Sequence, residues 1–395
     1  MAVEYLQDPD ANGNKLLNAF NNNILVFTDD GNLDVKSCTI SISEPSQSGF
    51  PTFRLSPINN QFEFNLYEVS KITAKYYKFR DTIQDYNLGL KRDDFVTFYM
   101  DLEIEITLED GSKTDDTKGF TFLKSVSQIY PVKDYEQGFN LFSKSNLTFF
   151  KGYPFDVSLV GNTSEPLTVK NNVKGNEIEY TSIEERLVYS RGDYMIDSSP
   201  YAKGNVVLRV EEMTDYNLDN IDCGSFPNGN PILDVGYNDV SLTKEGKEIK
   251  CLIRLRDICE GVYIRWIDDN GCWSYWLFSS KYTENKSVRT LDSYRVNEQD
   301  ITTQYESELI MGKEGEKAYT VYDTNITSDE ANQLKSLPDS PRIELYNGKY
   351  GDNVRELSKA WQTIALVDSS FMFYTTKRDI INLTMQFKKP LFTIM

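Results

Sequence analysis

The chain contains no histidine among its 395 residues. Histidine is the commonest general base and zinc ligand, and it completes the usual serine and cysteine catalytic dyads. Its absence removes these kinds of site together, and an enzyme becomes a less favoured interpretation. Glycoside hydrolysis by paired carboxylates and Asp-rich metal sites do not need histidine, so the sequence leaves them open.

Cysteines and long apolar runs are also scarce. No two of the five cysteines have the close spacing of a zinc site, and we interpret them as reduced thiols of a cytosolic protein. They are Cys38, Cys223, Cys251, Cys259 and Cys272. The first ten residues lack the basic and apolar regions of a secretory signal, and no apolar run approaches the roughly 18 residues that span a bilayer. We therefore expect no export signal and no membrane partner.

Acidic residues outnumber basic ones by 60 to 42, which gives a formal net charge of -18. Such a surface repels phosphate backbones and anionic membranes, so specific nucleic-acid binding is not expected. Solubility is the simplest reason for the charge. A narrower one is that an acidic wall lines a DNA channel without holding the DNA.

Strand patterns dominate the chain. Apolar and acidic residues alternate from Asp101 to Asp110, as in a half-buried strand, and Asp110-Gly111 predicts the turn that ends it. Further strands are predicted at residues 206–210, 249–255, 342–346, 361–367 and 382–387. This pattern predicts a mainly β fold of two or three β-sandwich-like modules.

Helix signals are few. The clearest runs from Ser328 to Leu337, where Thr327 or Ser328 caps the first turn and Pro338 ends the helix. This predicts a short helix near the C-terminus. A second candidate runs from Phe64 to Phe79, and that segment equally fits a strand followed by a loop.

Two polar segments divide the chain into three predicted parts. Residues 161–166 form a turn-rich cluster, and residues 282–304 are weakly patterned, as expected of a link. We therefore predict an N-terminal β domain over residues 1–160, a middle β domain over 161–300, and a C-terminal β module with a short helix over 301–395.

The middle part contains an unusually aromatic segment from Gly261 to Phe278, which holds three of the four tryptophans. Asn270-Gly271 between its two runs predicts a tight hairpin turn with positive φ at both central residues. Large side chains on both faces indicate either a strand pair buried on both sides or a contact surface. The candidate interface residues are Tyr263, Trp266, Trp273, Tyr275, Trp276 and Phe278. Alternatively, the three tryptophans stack on sugar rings, which requires at least one of them to be exposed.

Other candidate chemistry is weak. Glu103 and Glu105 lie on one strand face, as a pair of glycosidase carboxylates would, but a solvent-facing sheet surface explains them equally well. The Asp-rich loops at residues 215–222 and 268–270 lack the EF-hand spacing for calcium. We assign no catalytic residue, no metal ligand and no cofactor from the sequence.

Three segments together resemble a known class of protein. They are the β-turn-β unit from Phe53 to Leu66, the aromatic hairpin, and the C-terminal helix followed by the strands at residues 339–346 and 361–369. Their order resembles virion tail proteins of tailed phages that infect Bacteroidetes, including the crAss-like group. The resemblance implies a mostly β structural component without a cofactor, such as a hub, baseplate or ring protein that assembles as a cyclic oligomer.

We therefore expect a non-enzymatic structural subunit of a phage tail. It is expected to form homo-oligomers, to dock neighbouring tail proteins, and to reside in the virion tail after assembly in the host cytoplasm. A carbohydrate-binding adhesin or receptor-binding module is the first alternative, and a carboxylate-based glycan hydrolase is the second.

Overall fold

A computed structural model describes the fold. It describes residues 2–13, 15–31, 34–43, 51–76, 89–93, 97–126, 135–136, 139–141, 143–161, 166–180, 206–212, 233–258, 260–295, 308–347, 361–367, 381–389 and 392–394. Within these ranges the chain forms strands in five sheets and two short helices. The predicted mainly β fold with sandwich-like modules is confirmed.

The strands are β1 Val3–Gln7, β2 Lys15–Asn18, β3 Ile24–Asp29, β4 Val35–Ser43, β5 Phe53–Leu55, β6 Phe62–Asn65, β7 Gly89–Asp93, β8 Thr97–Leu108, β9 Lys113–Leu123, β10 Tyr135–Glu136, β11 Asn140–Leu141, β12 Asn146–Phe150, β13 Phe155–Gly161, β14 Leu167–Asn171, β15 Glu177–Tyr180, β16 Val206–Glu212, β17 Gly236–Lys244, β18 Lys247–Arg256, β19 Gly261–Ile267, β20 Trp273–Ser279, β21 Tyr282–Arg295, β22 Glu308–Ile326, β23 Ile343–Tyr346, β24 Trp361–Leu366, β25 Ile381–Lys388 and β26 Phe392–Ile394. Helix α1 is Tyr67–Tyr76, and helix α2 is Ser328–Leu334.

One core lies in the N-terminal part of the chain. A three-stranded sheet (β1-β3-β6) and a six-stranded sheet (β10-β2-β9-β8-β4-β5) contribute to it. Strand β8 buries alternate residues, from Phe98 through Ile104 to Leu108, and this confirms the half-buried strand predicted there. Its apolar face joins a buried cluster that runs from Val3 to Phe122 and includes Val69 of α1. Burying one face of each sheet against the other supplies the main driving force for this core.

A second core begins at Phe139 and extends to Phe387. Its strands belong to a four-stranded sheet (β11-β13-β16-β7), a five-stranded sheet (β12-β18-β17-β14-β15) and an eight-stranded sheet. The eight-stranded sheet has the order β20-β19-β23-β24-β25-β22-β21, with β26 beside β22. Strands β21 and β22 pair across the predicted boundary at residue 300, and the division into three parts stays a prediction.

The predicted strands and helices agree with the structure to different degrees. The strands predicted at residues 206–210, 249–255, 342–346, 361–367 and 382–387 are confirmed as β16, β18, β23, β24 and β25. The C-terminal helix is confirmed as α2, which ends at Leu334, a turn earlier than predicted. Residues 64–79 fitted either a helix or a strand followed by a loop. In the structure, strand β6 ends at Asn65 and helix α1 follows it.

The interpretation of residues 282–304 as a link is wrong for residues 282–295, which form β21. This strand is 14 residues long and pairs with β22, which is 19 residues long. Its described side chains are exposed on both faces, so its sequence lacks the apolar alternation that marks a half-buried strand. The backbone pairing with β22 holds it in place instead. Residues 296–304 lie outside the described residues.

Candidate functional site

The aromatic hairpin is formed by β19 and β20, which pair from Gly261 opposite Ser279 to Ile267 opposite Trp273. On its other side β19 pairs with β23. Because side chains alternate across a strand pair, the hairpin presents large residues to both faces. All six candidate interface side chains are buried within this single chain: Tyr263, Trp266, Trp273, Tyr275, Trp276 and Phe278.

Rings from outside the hairpin cover both of its faces. The Phe150 ring meets the Trp276 ring edge-on, with 5.3 Å between centroids, and the Tyr153 ring lies 4.5 Å from that of Tyr263. Phe387 of β25 packs 6.0 Å from Phe278. Such tilted and edge-on contacts are favourable for aromatic quadrupoles and add to the burial of apolar area. The hairpin is thus the centre of the second core.

The polar tips of these aromatic residues are bonded inside the chain. The indole nitrogen of Trp266 donates to Ser336 Oγ at 3.0 Å, and that of Trp276 donates to Asp323 Oδ2 at 2.8 Å. The hydroxyl of Tyr275 donates to Asp156 Oδ2 at 2.5 Å. A buried indole N–H or phenol hydroxyl needs a hydrogen-bond partner, and in this protein each of these partners belongs to the same chain.

This burial decides one alternative. The sugar-stacking interpretation requires an exposed tryptophan in the hairpin, yet Trp266 and Trp276 are 0% exposed and Trp273 is 4% exposed. That requirement is therefore not met, and any sugar-binding surface must lie elsewhere. The assignment of the six residues to a subunit interface stays a prediction.

A buried ion cluster secures the hairpin to β23. Arg265 donates to Oε2 of Glu344 through Nε at 2.7 Å, and Arg342 donates to the other oxygen, Oε1, at 2.6 Å. The Arg265 guanidinium lies between the rings of Trp273 and Trp361, 4.1 and 4.2 Å from their centroids. Two cations therefore compensate one carboxylate, and the two rings provide further attraction for Arg265.

Helix α2 is held by two buried polar side chains. Glu330 closes a capping box with Thr327 and also accepts from Arg254 Nη1 at 2.9 Å. Gln333 accepts from the Thr148 amide at 2.8 Å and donates to the Tyr275 carbonyl at 3.1 Å. The helix thereby ties β12 to the aromatic hairpin.

The hairpin turn differs from the prediction of two central residues with positive φ. Gly271 has a φ of +81°, whereas Asn270 is not among the residues with positive φ. The Gly271 amide donates to the Asp268 carbonyl at 3.0 Å, and Asp268 Oδ1 accepts from the amides of Asn270 and Cys272. The side chain of Asp268 therefore stabilises a longer loop in which one glycine takes the left-handed conformation.

This turn also joins the two cores. The Val126 amide, just beyond β9, donates to the Asp269 carbonyl at 2.9 Å. A Cβ added at Gly271 would stand 2.6 Å from the Lys124 carbonyl oxygen. Close approach of the two backbones therefore requires glycine at this position.

We expect Gly271→Ala to lower the free energy of unfolding by at least about 2 kcal/mol, because it combines a left-handed φ with a backbone clash. Gly246→Ala is the matched control: its φ is +72° and nothing lies within 4 Å of the added Cβ. Urea unfolding of both variants checks the prediction, and equal losses would contradict it.

Asp268 is a buried carboxyl group at the base of this turn. Burial, with a smaller contribution from the charge of Asp269, raises its pKa to about 7. Its Oδ2 accepts from Ser274 Oγ at 3.1 Å. Because the unfolded pKa is about 3.9, the folded state holds its proton more tightly than the unfolded state does.

The pH dependence follows from this difference. The stabilising contribution of protonated Asp268 is complete below about pH 4 and is lost as the pH rises to about 7, by at most about 1.4 kcal/mol per pH unit. We expect Asp268→Asn to remove this loss, so that its stability relative to the wild type increases over that interval. Unfolding in urea at several pH values checks this. Asp110→Asn is the control, since hydrogen bonds from Ser112 lower the pKa of Asp110. Its stability relative to the wild type should therefore change only below about pH 4, and with the opposite sign. A constant difference between Asp268→Asn and wild type would contradict the assignment.

A cavity of about 730 Å³ lies where the end of β9, the hairpin turn and the C-terminal end of α2 meet. Four lysines contribute to its lining, namely Lys124, Lys144, Lys250 and Lys335, together with three aspartates, Asp268, Asp269 and Asp339. The ammonium group of Lys144 lies 3.8 Å from Asp269 Oδ1 and donates to the Asn332 carbonyl at 2.7 Å. Sequence reasoning missed this cavity, because its lining comes from segments far apart in the chain.

The candidate glycosidase carboxylates lie outside that cavity. Glu103 is exposed, and Glu105 is paired with Lys113 at 2.8 Å on the solvent face of β8. They therefore occupy a solvent-facing sheet surface, as one of the two sequence interpretations expected. Of the Asp-rich loops, residues 215–222 lie outside the described residues, and Asp268 serves the hairpin turn.

The cysteines within the described residues are buried. Cys38 and Cys251 are free thiols, and burial raises the pKa of each to about 12. Cys272 is also buried, in the hairpin turn. A thiol with so high a pKa is a poor nucleophile, which agrees with the use of Cys38 and Cys251 as small hydrophobes. Cys223 and Cys259 lie outside the described residues.

Comparisons with known proteins place the chain in no family. No family model matches it, and no curated protein matches it. Among solved structures, the periplasmic chaperone SfaE is 10% identical over 65% of this chain and 100% of its own, with a TM-score of 0.19. A tetra-tandem repeat in the extending region of a large adhesion protein is 10% identical and has a TM-score of 0.19. The match covers 82% of this chain and 59% of that one. The FN1–FN3 domains of chicken CNTN1 are 8% identical and have a TM-score of 0.18. The match covers 78% of this chain and 92% of that one. At these scores the similarity carries no argument about function.

A ribbon of two long strands is exposed at one edge of the eight-stranded sheet. We call it the arm, and it consists of β21 together with residues 308–317 of β22. Pairing of β22 with β25 begins at Ala318, and Lys389 and β26 continue along the same edge as far as residue 313. Among the described residues, only 308–312 of β22 therefore lack a partner on that side. Within the described part of the chain, the outer edge of β21 pairs with no other strand.

The arm also exposes apolar side chains. Val288 is 52% exposed, and Leu291 and Tyr282 are 48% exposed. Cross-strand ion pairs stabilise the ribbon, including Arg289 with Glu314 at 2.7 Å and Lys317 with Glu284 at 2.5 Å.

No helix among the described residues is long and apolar enough to cross a membrane.

Proposed function

We propose that this chain is a structural, non-enzymatic subunit of a phage tail assembly, of the hub, baseplate or ring type. It acts by associating with further copies of itself and with neighbouring tail proteins. The observation that carries the proposal is the arm, a long β ribbon whose outer strand, β21, has an edge that no described strand covers and has exposed apolar side chains.

The physical argument concerns the open edge. The outer edge of β21, a strand of 14 residues, pairs with no described strand. Such an edge is an aggregation hazard for a solitary protein and an assembly surface for a subunit. The arm itself has little apolar core to stabilise it. A neighbouring subunit that pairs with β21 or covers Val288 and Leu291 supplies both the missing partner and the missing burial.

Other features agree with a structural role. The aromatic hairpin, which is the most conspicuous group of side chains in the sequence, is committed to the core and its polar tips are satisfied. The acidic surface suits a wall that DNA passes without adhering to it. Three segments resemble tail proteins of phages that infect Bacteroidetes, and this resemblance is the reason for proposing a phage tail as the assembly. The proposal therefore also places the protein in the virion.

The proposal predicts that assembly depends on the arm. We expect the solution mass of the wild type, measured by light scattering, to grow with concentration toward a discrete multiple of 45.5 kDa. The double variant Val288→Glu, Leu291→Glu should require at least about tenfold higher concentration, equivalent to 1.4 kcal/mol or more. Val173→Glu is the matched control, since Val173 is 72% exposed on a turn outside the arm.

Two results would contradict the proposal. One is a monomer of 45.5 kDa at every concentration, alone and with the other proteins of the same tail. The other is association that the arm variant and the Val173 control weaken equally.

A further inference from the structure

We propose that the cavity between the two cores binds an acidic sugar, such as a uronic or sialic acid residue. This inference goes beyond the assembly function, and it does not depend on the arm. The argument rests on the charge of the cavity, its size and the mixture of groups that line it.

Charge is the first argument. In a chain of net charge -18, four lysines line one cavity. Lys250 and Lys335 form no ion pair with a carboxylate among the described residues, so their positive charges are open to a ligand. Asp268 is occupied by the turn amides and by Ser274, and Asp269 lies beside Lys144. With Asp339, the lining holds four lysines and three aspartates, and this small positive excess favours an anion over a cation.

Size is the second argument. A volume of about 730 Å³ falls within the range of pockets that hold small organic ligands. It exceeds what an inorganic anion fills, so a ligand that uses the whole cavity carries its negative charge on a larger frame.

The remaining lining identifies that frame as a sugar. Ser143 and Asn332 offer hydroxyl and amide groups, while Asp339 accepts hydrogen bonds. A ligand rich in hydroxyl groups both donates and accepts, and it matches such a mixed set. Phe20, which packs against the N-terminal core, adds apolar surface to one side of the cavity. Lysine ammonium groups then meet the sugar carboxylate as point charges.

The test is isothermal titration calorimetry of the full chain with glucuronate and with N-acetylneuraminate. We expect a dissociation constant of about 1 mM for at least one of them, because few charged contacts are made in an open cavity. Glucose, sodium sulfate and a short glutamate peptide serve as comparison probes. Each should bind at least about tenfold more weakly than the acidic sugar, a difference of 1.4 kcal/mol or more.

Substitutions place the site in the cavity. Lys250→Glu and Lys335→Glu should each weaken binding of the acidic sugar at least about tenfold. Lys170→Glu, the same change at an exposed lysine of β14 that does not line the cavity, should leave it unchanged. The arm variant should bind as the wild type does, which separates this proposal from the assembly function.

Several results would overturn the inference. No heat of binding for either acidic sugar would do so, as would equal binding of glucose, which would remove the role of charge. Tighter binding of sulfate or of the glutamate peptide would identify a different ligand class. Binding that Lys170→Glu weakens as much as Lys250→Glu does would reflect general electrostatics rather than the cavity.

Discussion

Glu344→Ala should lower the free energy of unfolding by about 3–5 kcal/mol, the usual cost of removing one partner from a buried ion pair. The carboxylate is 2% exposed and receives hydrogen bonds from Arg265 and Arg342, one on each oxygen. Without it, Arg265, which is 5% exposed between two indole rings, loses the buried carboxylate to which its Nε donates. Urea unfolding followed by circular dichroism measures the loss.

The matched control is Glu316→Ala, which removes an ion pair with Lys388 near the surface of the same sheet. Both side chains of that pair are partly or well exposed to water, so the loss should be at most about 1 kcal/mol. If Glu344→Ala cost no more than this control, the Arg265 charge would be reached by water, and the description of the cluster as part of the core would be wrong.

Trp276→Ala should also lower the free energy of unfolding by about 3–5 kcal/mol, because it removes the largest type of side chain from a fully buried position. The indole is 0% exposed, meets the Phe150 ring edge-on and donates to Asp323. The substitution leaves a cavity in the second core and removes the indole donor from Oδ2 of Asp323. Thermal or urea unfolding checks the size of the effect.

Tyr237→Ala provides the control, since Tyr237 is an aromatic residue that is 62% exposed. Its loss should change stability by less than about 1 kcal/mol, as is usual for surface positions. A Trp276→Ala variant that is as stable as the wild type would indicate that the hairpin is a surface. That result would restore the interpretation of its tryptophans as sugar-stacking platforms.

The sequence predicts the hairpin well because its signals are local. Two aromatic, strand-forming runs around Asp268 to Gly271 specify antiparallel pairing within a short segment. The exact turn is less predictable, since Asn-Gly alone does not reveal that the Asp268 side chain bonds two amides and leaves only Gly271 with positive φ. Elsewhere, Asn59 and Asn60 do take the positive φ of a two-residue hairpin turn.

The arm shows the limit of pattern reasoning. Strand β21 has solvent on both faces, so neither an apolar alternation nor an apolar run marks it, and its polar composition indicates a link. Only its pairing partner, β22, makes it a strand. The same argument applies to the cavity, whose lysines come from four separate segments. Features that depend on which distant segments meet are set by tertiary structure, and one sequence does not reveal them.

Hydrogen exchange of the backbone amides, measured at low and high protein concentration, tests the central claim most directly. The account predicts that the amides of β21 that point away from β22 exchange rapidly in dilute protein and become protected as subunits associate through the arm. Amides of β19 and β20 should be strongly protected at both concentrations, because the hairpin lies within the core of one chain. Protection that grows at the hairpin while β21 stays unprotected would contradict the account and make the aromatic hairpin the assembly surface.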